Sequence, residues 1–262
     1  MYKIALAQAV FRNEDFSSNH TKMESMVKES KQHHPDTRLI VFPELSATGY
    51  FLSPRLKELA QEKEGVIFQK MREIAHQYDI WIVYGYVEKD LKGNIYNAIQ
   101  MVDPEGNLAA NYRKIHLTPL EKELFTPGSE LVTVKTELGI IGLMICWDLA
   151  FPELSRKLAL KGTDLLVAPS AWEVPYDTPF KLFGAARAID NTVFVAACNH
   201  VGTSEELSFF GKSSIYGPDG KIIASSRNDQ EDLIVADIEY DWRNELKTTF
   251  YTMLKERRID LY

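Results

Sequence analysis

The stretch GIIGLMICWDLAFPELSR, residues 139–156, joins an apolar run to an amphipathic one through a short polar interruption. The first part, Gly139 to Cys146, is rich in Ile and Leu and predicts a buried strand. Trp147 and Asp148 follow at once, which indicates that the chain leaves the core in a sharp turn. Pro152 then favours the start of a helix, because its fixed φ suits the first helical turn. A strand, a turn and a helix in this order are typical of an α/β fold.

The same alternation continues through the rest of the chain. Further strands are predicted by apolar, β-rich runs at Lys3 to Ala9, Arg38 to Phe42, Ile80 to Val87, Asp164 to Ala168 and Val193 to Cys198. Helices are predicted from Val66 to Tyr78, where apolar residues recur with helical spacing, and from Asp241 to Glu256. Turn residues at 103–107 and 217–221 predict two hairpins. No linker or low-complexity tract interrupts the pattern, so we expect a single α/β domain over residues 1–262.

Composition and charge argue against several classes of protein. Hydrophobic residues make up 45% and charged residues 26% of the chain, which is the balance of a soluble globular protein. The net charge of -7 and the pI near 5.5 argue against a nucleic-acid partner, since nucleic-acid binders usually present a basic face. No run approaches the roughly 18 apolar residues of a membrane span, and the start resembles a strand more than a signal peptide. We therefore expect a cytoplasmic protein without a membrane partner.

The chain contains two cysteines, Cys146 and Cys198, which do not make a disulfide framework and suit a reducing compartment. A free cysteine within an apolar strand is most often an inert core residue, and Cys198 fits that description. Cys146 differs because it stands at the predicted turn, where backbone N–H groups can face an oxyanion. We interpret Cys146 as a candidate nucleophile.

Two other segments place a charged residue next to apolar ones: Glu44 ends an apolar run, and Lys114 lies between apolar positions. In LIVFPEL, residues 39–45, Pro43 stops a strand and Glu44 follows it. Partial burial there would raise the pKa of the carboxyl and make it a usable base near neutrality. In YRKIHL, residues 112–117, an ammonium of Lys114 placed in a cleft could stabilise an oxyanion. Each residue alone is also compatible with a solvated surface position, so the argument depends on their meeting at one edge of the sheet.

Taken in order, the motifs FPEL, YRKIHL and ICWDLAFPE closely resemble those of the nitrilase superfamily, also called the carbon–nitrogen hydrolases. The resemblance covers nearly the whole chain, because the start IALAQ, the late segment YGPDG and the ending RIDLY are also similar to that family. It implies a four-layer α-β-β-α sandwich that commonly pairs into a homodimer or a higher homo-oligomer. It also implies an amidase-like enzyme that needs no metal and no organic cofactor.

By this resemblance the catalytic triad is Glu44, Lys114 and Cys146. Cys146 would attack the amide carbonyl while Glu44 takes its proton, and Lys114 with the backbone N–H of Trp147 would stabilise the tetrahedral oxyanion. A thioester would remain once ammonia has left. Glu44 would then activate the water that hydrolyses it.

Further site residues are predicted around the triad. The family's second glutamate, which positions substrate or water, best matches Glu121, with Glu123 as the alternative. Three aromatic residues are predicted to bind substrate, namely Trp147, Trp172 in the loop after the strand at 164–168, and Tyr50. Packing alone would account for Trp172 equally well.

Several alternatives stay open. A Cys–His enzyme would pair Cys146 with His116 or His200, since sequence does not decide spatial adjacency. A scaffold that binds partners without catalysis is also compatible with the fold. A metal hydrolase is disfavoured because the six histidines form no His-Glu-x-x-His pattern. Among small-molecule substrates we favour carboxamides that release ammonia over N-carbamoyl compounds and nitriles.

Overall fold

The computed structural model describes residues 1–227 and 229–261. Its strands, in chain order, are β1 (Tyr2–Gln8), β2 (Thr37–Val41), β3 (Trp81–Lys89), β4 (Ile95–Val102), β5 (Leu108–Arg113), β6 (Thr133–Thr136), β7 (Gly139–Leu143), β8 (Leu165–Ser170), β9 (Phe194–Asn199), β10 (Val201–Ser204), β11 (Leu207–Phe210), β12 (Ser214–Tyr216), β13 (Ile222–Ser225) and β14 (Asp232–Ile238).

The α-helices are α1 (Phe16–His33), α2 (Leu56–Leu59), α3 (Val66–Tyr78), α4 (Pro152–Leu160), α5 (Asp177–Asn191), α6 (Tyr240–Thr248) and α7 (Met253–Glu256). Two 3₁₀ turns, Glu121–Glu123 and Cys146–Ala150, complete the elements that matter for the site. None of the helices in the described part of the chain is long and apolar enough to cross a membrane.

The two six-stranded sheets have the same arrangement of strands. The first has the order β14-β1-β2-β3-β4-β5, and the second has the order β13-β12-β9-β8-β7-β6. In each sheet three central strands run parallel, β1-β2-β3 in the first and β9-β8-β7 in the second. Antiparallel strands flank them on both sides. The predicted turns at 103–107 and 217–221 do join antiparallel pairs, β4 to β5 and β12 to β13.

Alternating side chains of β1 explain how the layers stack. Ile4 and Leu6 pack into the core between the two sheets, while Ala5 and Ala7 pack into a second core against α1 and α3. Because side chains alternate along a strand, a strand buried on both faces carries apolar residues at successive positions, as Ile4 to Ala7 do. On the far side, α4 and α5 cover the second sheet with residues such as Leu158. The result is the four-layer α-β-β-α sandwich expected from the sequence.

Most element boundaries lie within one or two residues of those predicted from the sequence, and two elements differ by more. The helix predicted from Val66 to Tyr78 is found with those limits, but the strand predicted to reach Cys146 ends at Leu143. The helix predicted from 241 to 256 is also wrong as one element, because it divides into α6 and α7. The break coincides with residues 249–252, Thr-Phe-Tyr-Thr, which are β-branched or aromatic residues of low helix propensity.

The sheets bring distant segments to one edge. The carboxyl end of β2 leads to Glu44, and the backbone N–H of Glu44 donates to the carbonyl of Ser170, the last residue of β8, at 3.4 Å. Ends of parallel strands in the two sheets therefore meet. This is the edge where an α/β protein places its site.

Candidate active site

Cys146 begins a tight 3₁₀ turn and has a φ of +46°. An L-residue adopts this left-handed conformation only when its surroundings impose it, and such strain is concentrated at functional sites. The residue is 6% exposed, and the backbone N–H of Ala171, which faces its sulfur, lowers the pKa of the thiol. The nucleophile predicted from the sequence thus lies on a sharp turn, not at the end of a regular strand.

The pKa of the Cys146 thiol is raised well above its ordinary value. Burial is the main cause and the charge of Glu44 adds to it, whereas Lys114 opposes both. A thiol in this environment stays protonated, so it needs a base to become a nucleophile.

Asp148 explains why the strand stops early. Its Oδ2 accepts hydrogen bonds from the backbone N–H of Ile145 at 3.0 Å and from the hydroxyl of Tyr112 at 2.7 Å. Its Oδ1 accepts from the backbone N–H of His116 at 3.0 Å. One buried carboxylate therefore folds the Cys146 turn and ties it to the segment that carries Lys114.

Glu44 is held by its backbone as well as by its side chain. The next residue, Leu45, has a φ of +49°, and the turn passes so close to β3 that a Cβ at Gly85 would lie 2.2 Å from the nitrogen of Leu45. The Nε2 of His200 lies 2.5 Å from the carbonyl oxygen of Glu44. Burial lowers the pKa of His200 to about 4, so its ring is neutral and donates this hydrogen bond.

Lys114 lies between two carboxylates. Its backbone N–H donates to the carbonyl of Asn97 at 2.8 Å, and its Nζ lies 2.6 Å from Glu44 Oε1 and 2.7 Å from Glu121 Oε1. The three charged side chains are fully buried. Burial alone would lower the pKa of Lys114, but the charges of Glu121 and Glu44 outweigh it and hold that pKa well above its usual range. The lysine is therefore an ammonium.

The same cluster sets the properties of Glu44. Burial raises the pKa of Glu44 to about 7, against the opposing charge of Lys114 and with a further increase from Glu121. Lys114 and the amide of Asn97 both bind Oε1, whereas Oε2 has no hydrogen-bond partner within the described residues. The carboxyl also interacts with the thiol of Cys146. The carboxyl of Glu44 is consequently held in place through Oε1, while Oε2 remains available to exchange a proton.

The structure separates the two candidates for the second glutamate. Glu121 is buried, and besides Lys114 it binds the Nδ2 of Asn97 at 3.0 Å and, through Oε2, the backbone N–H of Thr118 at 2.9 Å. Glu123 is exposed on the other side of the same 3₁₀ turn. Geometry therefore brings Glu121, and not Glu123, to the cluster.

The three aromatic residues also gather here. Trp147 is half-buried with its ring centroid 5.4 Å from that of the buried Trp172. The side chain of Asn199 holds the backbone of Trp172 from both sides, accepting from its N–H at 2.7 Å and donating to its carbonyl at 3.0 Å. Tyr50 is buried, and burial followed by the charges of Glu121 and Glu44 raises the pKa of its phenol.

The two histidines considered as alternatives are engaged elsewhere. His116 pairs through Nδ1 with Asp148 Oδ1 at 2.8 Å and stacks on Phe151, and His200 binds the backbone of Glu44. Both rings help to position other residues. The contacts of the described chain therefore give no support to a Cys–His pair.

Asn97 and Asp148 are the residues that the sequence argument missed as parts of the site. Asn97 is a polar residue within the apolar strand β4, which is a detectable signal because a buried amide needs partners. In the sequence Asp148 only marks the turn, and no pattern predicts the hydrogen bonds that its carboxylate makes. Within residues 1–227 and 229–261 no group of His, Cys, Asp and Glu is arranged to hold a metal ion.

Comparison with known proteins places the chain in a family. Residues 3–247 match the carbon–nitrogen hydrolase family. The chain belongs to the carbon–nitrogen hydrolases. This identifies it as an enzyme of the nitrilase superfamily, as the three motifs in the sequence predicted.

Its relatives include both nitrilases and amidases by name. A probable nitrilase of Schizosaccharomyces pombe is 40% identical over 99% of this chain and 96% of its own length. A 2-oxoglutaramate amidase of Bacillus subtilis is 32% identical over 94% of this chain and 93% of its own length. A solved amidase structure from Nesterenkonia, a glutamate-to-glutamine mutant, superposes with a TM-score of 0.88 at 25% identity, covering all of this chain and 98% of that one. In that protein acrylamide has added to the active-site cysteine.

Proposed function

We propose that this hydrolase cleaves small carboxamides to a carboxylic acid and ammonia, with Cys146 as nucleophile, Glu44 as base and acid, and Lys114 as the cation beside the oxyanion. The observation that carries the proposal is the pairing of one buried ammonium with two buried carboxylates next to a buried thiol. A fully desolvated arrangement of charges is costly, and such clusters are typical of active sites. We also propose that residues 1–262 form one catalytic domain.

Acylation begins with proton transfer. The thiol proton of Cys146 moves to Glu44 as the sulfur forms a bond to the amide carbon. The carbonyl oxygen becomes an oxyanion, and Lys114 Nζ with the backbone N–H of Trp147 would stabilise it. When the C–N bond breaks, Glu44 returns the proton to the departing nitrogen, and ammonia leaves a thioester on Cys146.

Deacylation uses the same groups in reverse. Water gives a proton to Glu44 and attacks the thioester carbon. The C–S bond then breaks to release the acid, and Glu44 returns the proton to the sulfur of Cys146. A base that must both accept and return a proton works best when its pKa lies near the operating pH. The pKa of Glu44, raised to about 7 by burial, suits this double role.

Glu121 is proposed to orient substrate or water rather than to transfer the proton. Both of its oxygens are occupied, Oε1 by Lys114 and Asn97 and Oε2 by the backbone of Thr118. Trp147, Trp172 and Tyr50 are proposed to form the walls against which the acyl group packs. The aromatic contacts between Trp147 and Trp172 support that assignment.

One screen tests the proposal. The purified enzyme is offered matched small amides, N-carbamoyl acids and nitriles, and ammonia release is measured for each. A preference for amides supports the proposal. A preference for nitriles or carbamoyl compounds over matched amides would overturn the substrate class while leaving the triad in place.

A further inference from the structure

Glu173 is an acidic residue beside the site that the proposed mechanism does not use. It is the second residue after Ala171, whose N–H faces the sulfur of Cys146. Its backbone pairs with Phe209 in an isolated β-bridge, and the N–H of Val174 donates to the carbonyl of Ser208 at 2.9 Å. The backbone of Glu173 is therefore fixed, and it follows directly after Trp172, whose ring packs against Trp147 beside Cys146.

The side chain of Glu173 shares the environment of the site. It is half-buried, and desolvation raises the pKa of its carboxyl, against a hydrogen bond from its own backbone N–H and the charge of Lys114. Glu121 raises that pKa further. The charges of Glu121 and Glu173 both contribute to the raised pKa of the Tyr50 phenol. Several buried groups of the site thus interact with Glu173.

Charges around the nucleophile do not balance. Lys114 is the cation whose charge acts on Glu173, and it already makes ion pairs with Glu44 and Glu121. Within the described chain Glu173 forms no salt bridge, so its charge is not compensated there. A carboxylate at the border of a poorly solvated site attracts cations and repels anions more strongly than it would in water.

We propose that Glu173 is a specificity determinant, which favours amides whose acyl portion carries a positive charge and disfavours those that carry a carboxylate. The inference rests on the proposed hydrolysis of amides at Cys146. It separates this enzyme from its Bacillus subtilis relative named as a 2-oxoglutaramate amidase, because 2-oxoglutaramate carries a carboxylate. Small amides with an ammonium group are the substrate class that this charge distribution fits.

Pairs of amides with the same shape but different charge measure the effect of Glu173 on specificity. The cation 4-aminobutanamide is compared with neutral pentanamide, and the anion succinamate with neutral 4-methylpentanamide, by kcat/KM at pH 8. Glu173→Gln should lower the preference for the cation over its neutral partner roughly two- to fivefold and raise relative activity on the anion, as expected for loss of a partly exposed charge pair. Glu173→Asp keeps the charge and should keep the preference.

A second readout does not depend on turnover. Modification of Cys146 by 2-aminoethyl methanethiosulfonate and by 2-sulfonatoethyl methanethiosulfonate is followed by mass spectrometry. The cationic reagent should react faster, and Glu173→Gln should reduce the ratio of the two rates by a similar factor. The buried Cys198 serves as an internal reference, and Glu105→Gln, at an exposed glutamate in the turn between β4 and β5, should leave the ratio unchanged.

The outcomes separate the two proposals. Amide turnover with equal charge preferences in the native enzyme and in Glu173→Gln would overturn the role of Glu173 and spare the proposed function. If the native enzyme hydrolyses no amide, but Glu173→Gln still changes the ratio of the two modification rates, the proposed function is overturned. Charge selection at the site is then supported. If Glu173→Gln changes neither the substrate preference nor the ratio of the two modification rates, the inference is rejected.

Discussion

Asn97 donates from Nδ2 to Glu44 Oε1 at 2.6 Å, so a neutral amide shares with Lys114 the task of holding the proposed base. Both donors bind the same carboxylate oxygen, and the other oxygen has no hydrogen-bond partner in the described residues. This asymmetry explains how a buried carboxylate can be fixed in place and still exchange a proton. It also makes the cluster sensitive to small changes in charge and in backbone position.

Replacing the two cysteines separates chemistry from packing. Cys146→Ala should abolish ammonia release with little loss of stability, whereas Cys198→Ala should keep turnover and cost about 1 kcal/mol of the free energy of unfolding through lost packing. Turnover is measured by ammonia release and stability by urea unfolding. Full activity in the Cys146→Ala protein would exclude the proposed nucleophile.

The pH dependence of kcat/KM should follow the ionisation of Glu44. Its pKa is raised to about 7 by burial, so below that pH the carboxyl is protonated and cannot accept the thiol proton. Activity should therefore rise with increasing pH through about 7 and then level off. Glu44→Gln should remove nearly all turnover. Retention of turnover in Glu44→Gln would favour a Cys–His mechanism instead.

Lys114→Met should slow turnover by roughly 2.7–4 kcal/mol of transition-state stabilisation, the range for loss of an oxyanion donor. Glu44 and Glu121 would also lose their buried cation, which costs several kcal/mol of stability. The double variant Lys114→Met with Glu121→Gln relieves part of that repulsion, so comparing thermal unfolding of the two separates folding from chemistry. A loss of less than about threefold in kcat would show that Lys114 does not face the transition state.

The motif residues could be predicted because they stand in three sequence motifs which, taken together in this order, resemble those of the nitrilase superfamily. Glu44, Lys114 and Cys146 are such residues, and the structure brings their side chains together. Asn97 could not be assigned in the same way, because its role depends on which side chains face β4 across the sheet edge. Glu121 and Glu123 are equally acidic in sequence, and only the direction of the 3₁₀ turn separates the buried one from the exposed one.

Element ends were harder to predict than element types. The apolar run to Cys146 has the pattern of a continuous strand, yet the strand ends at Leu143 because Asp148 captures the N–H of Ile145. Such a contact between side chain and backbone has no periodic signature. It is also what places the thiol on its turn, so the error in the prediction coincides with the proposed functional site.

Gly85→Ala should disable the enzyme from a position with no chemistry of its own. Its Cβ would lie 2.2 Å from the nitrogen of Leu45 and 2.9 Å from the carbonyl carbon of Glu44, so the turn carrying the base must move. We expect a loss of about 1–3 kcal/mol in the free energy of unfolding. Turnover should fall even under conditions in which the variant is still fully folded. Gly93→Ala is the control, because nothing lies within 4 Å of its Cβ and only its φ of +82° is strained. Equal turnover in the two variants would argue against this account of Glu44.

Hydroxylamine should intercept the acyl-enzyme. Ammonia leaves during acylation and water enters only afterwards, so the first turnover should release ammonia in a burst if hydrolysis of the thioester is the slower step. Hydroxylamine is a better nucleophile than water and should convert part of the product to a hydroxamate, which a colorimetric assay detects. Cys146→Ala should form none. Mass spectrometry of enzyme quenched during turnover should find the acyl group on Cys146, whereas turnover with neither adduct nor hydroxamate would indicate direct attack by water, with the cluster of Glu44 and Lys114 acting on that water instead of on a thiol.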